Sequence, residues 1–217
     1  MLDTAAQRAN MVAAQLRPND VTDARIRAAM ATIPRERFVP PPLRDVAYME
    51  SSIPLKEGRV LLDPRALGKL LQLAEIGPDD VALDVGCGTG YSSAVLSLLA
   101  GRVLALEENE ELASFAGEAL RELGAANVEM LRGPLAKGDP GHAPFDVIFL
   151  NGAIDCEPSA LLAQLKDGGR LVAIRRDGPA GHAKLYLNHD GAISDRSAFD
   201  AQAPILPGFD KPPRFVF

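Results

Sequence analysis

The sequence predicts an α/β protein built on a doubly wound, mostly parallel sheet, with helices ahead of the sheet and an antiparallel edge behind it. Three observations carry that expectation. From Val81 onward, short runs rich in Val, Leu and Ile alternate with helical patterns, and strand–helix–strand units close into parallel sheets through right-handed crossovers. The first of these strands breaks into a turn holding Gly86, Gly88 and Gly90, at the carboxyl end where ligands lie in such sheets. Finally, the tail beyond residue 175 has strand-like runs without helices between them, which suits antiparallel edge strands.

The elements follow in order. Residues 5–16 place Met11, Val12 and Leu16 at helical spacing, Pro18, Asn19 and Asp20 break that helix, and Thr22 or Asp23 can cap a second one running through Ile26, Ala29 and Met30. Pro34 ends it. Residues 38–64 read as loop, with prolines at 40–42, 54 and 64, and an irregular stretch of that length suits a lid or active-site segment. A helix is expected over 66–73. After the turn at 77–80, strands are expected at 81–85, 102–106, 128–131, 145–150 and 170–175, and helices at 92–100, 110–123 (ended by Gly124) and 160–165. Residues 183–187 and 214–217 are the candidate edge strands.

At 217 residues with 47% hydrophobic and 24% charged composition, the chain suits one domain, 1–217, with a large core. Within it, 1–64 form the N-terminal helices and a substrate-side loop, 65–175 the ligand-binding core and 176–217 the edge strands. The net charge of −6 argues against a general nucleic-acid binder, which presents a basic face to phosphates. Cys87 and Cys156 are the only cysteines, the usage of a reducing compartment rather than of a disulfide framework or metal cluster. No signal-peptide core and no run of about 18 apolar residues is present. A cytoplasmic protein away from membranes is expected.

The glycine turn narrows the ligand. Glycines tolerate positive φ and let the backbone approach a ligand with no Cβ between them. Glu107 ends the next strand, about 20 residues on, where an acid accepts both hydroxyls of an adenosine ribose and repels a 2′-phosphate. A dinucleotide site needs G-x-G-x-x-G, whereas Tyr91 stands here after glycines spaced two apart. Asp84, just before the turn, repels a pyrophosphate and attracts an ammonium. S-adenosylmethionine carries an ammonium and no phosphate, so Asp84, Gly86, Cys87, Gly88, Gly90, Tyr91 and Glu107, with Glu108 beside it, are the expected contacts of that cofactor.

The run Asp84-Val85-Gly86-Cys87-Gly88-Thr89-Gly90, followed by a strand ending in Glu107, resembles the first motifs of the class I, Rossmann-like methyltransferases. With QLRPNDVTDARIRAAMATIPRERFVP, AYMESSIPL and APFDVIFLNGAIDCEPSALLAQLKDGGRLV, the chain resembles the protein-L-isoaspartate O-methyltransferase family over roughly residues 8–175. The resemblance implies a cytosolic, monomeric repair enzyme. It would methylate the α-carboxylate of L-isoaspartyl residues in damaged proteins, consuming S-adenosylmethionine and releasing S-adenosylhomocysteine.

Two departures stand out. The family segment G-Q-T-I-S-Q-P, whose Ser is placed beside the substrate carboxylate, falls here on Gly58-Arg59-Val60-Leu61-Leu62-Asp63-Pro64, so Leu62 takes the place of the Ser. The family G-D-G after the third parallel strand, with its acid near the adenine amine, falls on Gly133-Pro134-Leu135, which leaves backbone groups and apolar contact from Leu135 and Leu112 to hold the adenine. Methyl transfer to an ionised carboxylate needs no general base. Positioning alone is worth roughly 7–11 kcal/mol, against about 1.5–3 kcal/mol for one lost hydrogen bond to a charged group.

Arg59 is either a guanidinium at the cleft lip paired with a carboxylate or a solvated loop charge. Asn151, after the fourth strand, either bonds to ligand or caps a turn. Tyr48 either lines the substrate cleft, with Val60 and Leu61, or anchors the lid. Cys87 reads as a small filler rather than a nucleophile, since no His is locally placed to activate it; His142 reads as a solvated loop residue. The competing functions are a methyltransferase of the same fold with another acceptor, a non-catalytic module that binds the cofactor, and a nicotinamide-dependent oxidoreductase, which Tyr91 and Asp84 disfavour.

Overall fold

The computed structural model describes residues 3–178 and 180–211. Its N-terminal helices form where local capping permits them. Helix α1 (Thr4–Met11) is capped by Asp3, whose side chain accepts from the Ala6 amide, and continues as a π-helical turn over Val12–Leu16. Asp20, at φ 62, then reverses the chain. Asp23 caps α2 (Ala24–Thr32), accepting from the Arg25 amide at 2.7 Å.

The 38–64 stretch, expected as an irregular lid or active-site segment, is packed against the core. It folds into short 3₁₀ turns and a hairpin pairing β1 (Ile53–Pro54) with β2 (Val60–Leu61). Phe38, Val39, Ala47, Ile53, Leu61 and Leu62 are all buried in the main core cluster. Proline sets φ without preventing a chain from packing, so the composition signalled irregular backbone and missed that it was buried. Asp63 caps α3 (Pro64–Leu73) through the Ala66 amide at 2.8 Å, with Pro64 in the first turn, where its missing N–H is harmless.

The sheet has seven strands: β3 (Val81–Val85), β4 (Arg102–Glu107), β5 (Val128–Arg132), β6 (Phe145–Ile154), β7 (Leu165–Asp177), β8 (Ala180–His189) and β9 (Ala192–Asp200), in the order β5-β4-β3-β6-β7-β8-β9. Strands β3 to β7 pair in parallel, and β8 and β9 add antiparallel. The chain runs outward from β3 to β5, then crosses to β6 on the other side of β3. The switch point therefore lies at the carboxyl ends of β3 and β6, beside the glycine turn.

Alternation along the strands builds two cores. In β4, Val103 and Ala105 face the cluster shared with α1 to α3, α4 (Tyr91–Leu96) and α5 (Glu110–Leu123), while Leu104 and Leu106 face the other. That second face is covered by the short α6 (Ser159–Leu162), by Leu135 and by Leu206 and Phe209 from the tail.

The expected edge is present, with one strand the sequence did not signal. Most residues of β9 are exposed, so an edge strand left no apolar alternation to read. The segment after β9 then returns to the sheet: Ile205 bridges Ala153 in parallel, the Ala153 amide donates to Pro204 O at 2.9 Å and the Leu206 amide to Ala153 O at 2.8 Å. Residues 214–217, expected as a strand, lie outside the described residues.

Candidate active site

The glycine turn has the backbone its composition requires. Gly86, Gly88 and Gly90 sit at φ +71, +58 and +92, a region in which side chains with a Cβ are strained. The Gly86 and Cys87 amides both donate to Leu106 O, at 2.8 and 3.2 Å, tying the turn to the end of β4. Cys87 is 3% exposed, and burial pushes its thiol well up. It is a packed filler, not a thiolate nucleophile.

Asp84, next to last in β3, and Glu107, last in β4, are both fully buried. The chain itself fills their lone pairs. Asp84 Oδ2 accepts from the hydroxyls of Ser92 (2.7 Å) and Ser93 (2.5 Å), both in α4, and Oδ1 accepts from the Asn151 side-chain amide. Burial raises the Asp84 carboxyl to about 6, a shift that these hydrogen bonds oppose and that Glu107 reinforces. Asn151, 8% exposed, is thus a tie between β6 and β3 rather than a free ligand contact.

Glu107 Oε1 accepts from the backbone amides of Glu108 (3.0 Å) and Asn109 (3.2 Å), and Oε2 from the Gly88 amide (2.8 Å). The remaining positions go to Arg59. Its Nη1 donates to both carboxylate oxygens, at 2.9 and 3.1 Å, and its Nη2 to Gly86 O at 2.6 Å. With 4% exposure, Arg59 is neither a lip residue open to substrate nor a solvated loop charge. The hairpin loop between β1 and β2 carries it inward, because Leu55 N donates to Arg59 O (2.8 Å) and Arg59 N to Lys56 O (3.0 Å). The rest of the neighbourhood is apolar. A Cβ on Gly86 would meet Arg59 Nη2 at 2.7 Å, Leu206 Cδ2 at 3.1 Å and Leu135 Cδ1 at 3.3 Å; one on Gly88 would meet Leu55 Cδ1 at 3.1 Å.

Several expected positions fall elsewhere. Leu62 is 2% exposed in the core, and its carbonyl accepts from Arg35 Nη2 at 2.7 Å, so no side chain at that position reaches a cleft. Leu61 is likewise buried, while Val60 is half-buried across from Pro54 in the hairpin. Tyr48 anchors: its hydroxyl donates to Glu36 and accepts from Arg8 Nη1 at 3.3 Å, on the α1 side. Tyr91 is fully buried, edge-on to Phe38 at 5.7 Å and beneath the Arg35 guanidinium at 4.8 Å; its side chain belongs to the core, not to the turn's ligand side. Leu112 is buried in the first turn of α5, and Glu108 accepts from the Leu135 amide at 3.4 Å. Gly133 is half-buried and Pro134 exposed, leading into Leu135, which is fully buried.

Sequence reasoning missed Ser92 and Ser93, which were legible as hydroxyls in the first helical turn after the glycines, and Arg35. It also missed Leu55 and Leu206. Nothing local marks Leu206, which reaches Gly86 and Gly152 only because the tail folds back over β6.

A family model described as protein-L-isoaspartate(D-aspartate) O-methyltransferase matches residues 7–191. The chain belongs to the protein-L-isoaspartate O-methyltransferase family. Among its relatives, the protein-L-isoaspartate O-methyltransferase of Koribacter versatilis is 40% identical over 168 residues, covering 77% of this chain and 76% of the relative. Protein-L-isoaspartate O-methyltransferase 2 of Shewanella sediminis is 39% identical over 181 residues, covering 83% and 72%. The fold also matches a crystal structure of a putative family member from Plasmodium falciparum in complex with S-adenosyl-L-homocysteine, at TM-score 0.79 and 17% identity, covering 95% of this chain and 99% of that one.

Protein-L-isoaspartate O-methyltransferases are S-adenosylmethionine-dependent, so the seat can be tested against that cofactor. Its chemistry fits. Glu107 brings a carboxylate, the group that a ribose diol would need, to the end of β4, and the left-handed glycines leave room for a close ligand. Its volume, in this conformation, does not: the side chains of Arg59, Leu135 and Leu206 converge on the face of Gly86 that the missing Cβ leaves open.

Proposed function

We propose that this chain carries out the reaction for which its family is named, transfer of a methyl group from S-adenosylmethionine to the carboxylate of L-isoaspartyl residues in damaged proteins. The observation that carries the reading is the acid pair Asp84 and Glu107, flanking a left-handed glycine turn at the switch point of the sheet. When bound, the cofactor supplies an electrophilic methyl group. The acceptor carboxylate is already ionised at neutral pH, so the chain needs to orient and desolvate the reactants rather than to move a proton. In keeping with that, its histidines are engaged elsewhere: His142 with Asp139, His182 with Asp200 and His189 beside Asp190.

Supporting a protein rather than a nucleic-acid substrate is the acidic balance of −6. No described helix is long and apolar enough to cross a membrane. Cys87 and Cys156 are both free, in line with a reducing cytoplasm, and a monomer is the proposed state.

One observation favours the reading in which the acceptor differs. Leu62 is built into the core at the position of the family Ser, so the acceptor side of the cleft lacks that hydroxyl. Methyl transfer from S-adenosylmethionine to a synthetic isoaspartyl peptide, against its aspartyl isomer, decides the matter. The expected result is isoaspartyl-selective transfer, with Leu62→Ser no faster than the parent chain because that side chain is buried in the core. Turnover of neither peptide by a folded protein shown to hold the cofactor would refute the isoaspartyl assignment.

A further inference from the structure

We propose that Arg59 is a built-in occupant of the cofactor seat: a latch whose guanidinium holds Glu107 and Gly86, so that S-adenosylmethionine or S-adenosylhomocysteine must displace it in order to bind. The inference rests on the methyltransferase reading above and deepens it.

Four contacts made by three separate segments converge on it. The hairpin loop between β1 and β2 places Arg59 Nη1 on both Glu107 oxygens and Nη2 on Gly86 O. The same loop lays Leu55 over Gly88. Leu135 closes in on Gly86 from the turn after β5, and Leu206 from the returning tail, where it also presses on Gly152, 2.7 Å from a Cβ built there. Arg59, Leu55, Leu135 and Leu206 each stand within 3.3 Å of where a Cβ on Gly86, Gly88 or Gly152 would sit. Glu107 is fully buried and bonded at both oxygens, so ribose hydroxyls can reach it only after Arg59 has left.

Energetics make the latch strong but reversible. Removing one partner from a buried ion pair leaves the other charge uncompensated in low dielectric. A ligand that satisfies Glu107 with two hydroxyls meets that need, which makes ligand and guanidinium competitors for one carboxylate. The hairpin gives Arg59 somewhere to go. Its tip holds Glu57 at φ 53 and an exposed pair between Lys56 and Glu111 of α5, and exposed pairs hold weakly. An apparent affinity falls by the fraction of molecules in the open form.

The test is calorimetric titration of S-adenosylhomocysteine into the full chain and into Arg59→Gln and Arg59→Lys, with circular dichroism confirming the fold. Arg59→Lys keeps a cation near Glu107, so it remains folded should Arg59→Gln not be, yet it cannot bridge both carboxylate oxygens and Gly86 O at once. We expect weak binding by the parent chain and a gain on the order of a hundredfold in Arg59→Gln, matching an open population of about one per cent, with a smaller gain in Arg59→Lys. Hydrogen exchange supplies a second readout: residues 53–61 should lose protection when the ligand binds the parent chain. Equal affinity in all the folded proteins within about threefold, or no binding by any of them, overturns the latch. If instead the variants bind S-adenosylhomocysteine tightly but transfer no methyl group to an isoaspartyl peptide, the latch stands and the methyltransferase reading fails.

Discussion

Asp84 gives the sharpest pH prediction. Its carboxyl is fully buried and raised from 3.8 to about 6, chiefly by desolvation. A carboxyl whose folded pKa exceeds its unfolded value binds more protons folded than unfolded between the two values. Its contribution is therefore most favourable at low pH, declines as pH rises from about 4 to about 6, and is level beyond. Integrated from pH 4 to 7, the loss is roughly 2 kcal/mol. Asp84→Asn removes the titration while keeping the shape: the carbonyl oxygen can still accept from Asn151, and the new amide can donate to Ser92 or Ser93. Asp23 and Asp146 have lowered values and act in the opposite sense, so the quantity to follow is the stability difference between variant and parent. Urea unfolding at half-unit steps from pH 4 to 7 measures it. The variant should gain on the parent by roughly 2 kcal/mol across that window, most of it before pH 6. Parallel curves would show that Asp84 is already ionised without penalty and would refute the account of its burial.

Two further substitutions probe how the site is held. Gly90→Ala puts a Cβ 3.1 Å from the Ala116 Cβ of α5 at φ +92, which should lower stability by about 1–3 kcal/mol, read as a fall in the urea midpoint with unchanged slope. Asp63→Ala removes the cap of α3, whose Oδ1 accepts from the Ala66 amide at 2.8 Å. The expected loss is about 1 kcal/mol, or ~2–4 °C in Tm for a chain of this size, checked by calorimetry; no change would mean that packing alone fixes the start of α3.

Much of the scaffold was legible because it is encoded locally. The apolar runs of β3 and β4, the left-handed Gly124 that ends α5 at φ 78 and the three turn glycines need only their neighbours to declare themselves. The same is true of the two acids, since the ends of adjacent parallel strands must lie side by side. Segment 38–64 read only as loop, a lid or active-site segment, because irregular backbone and exposed backbone have similar composition, and only the core beneath Phe38, Ile53 and Leu62 shows that it is packed. Strand β9 escaped because an exposed edge needs no apolar period.

What the sequence by itself determined is the α/β class, the family and the left-handed glycine turn with an acid on either side, all of which depend on residue types at short, fixed spacings. What only the tertiary structure decided is who sits in that seat. Arg59 and Glu107 are 48 residues apart, and Leu206 reaches Gly86 from the far end of the chain. A guanidinium in a loop reads as solvated until the fold shows that the nearest unsatisfied carboxylate is a buried one, and burial is a property of the whole chain rather than of any stretch of it.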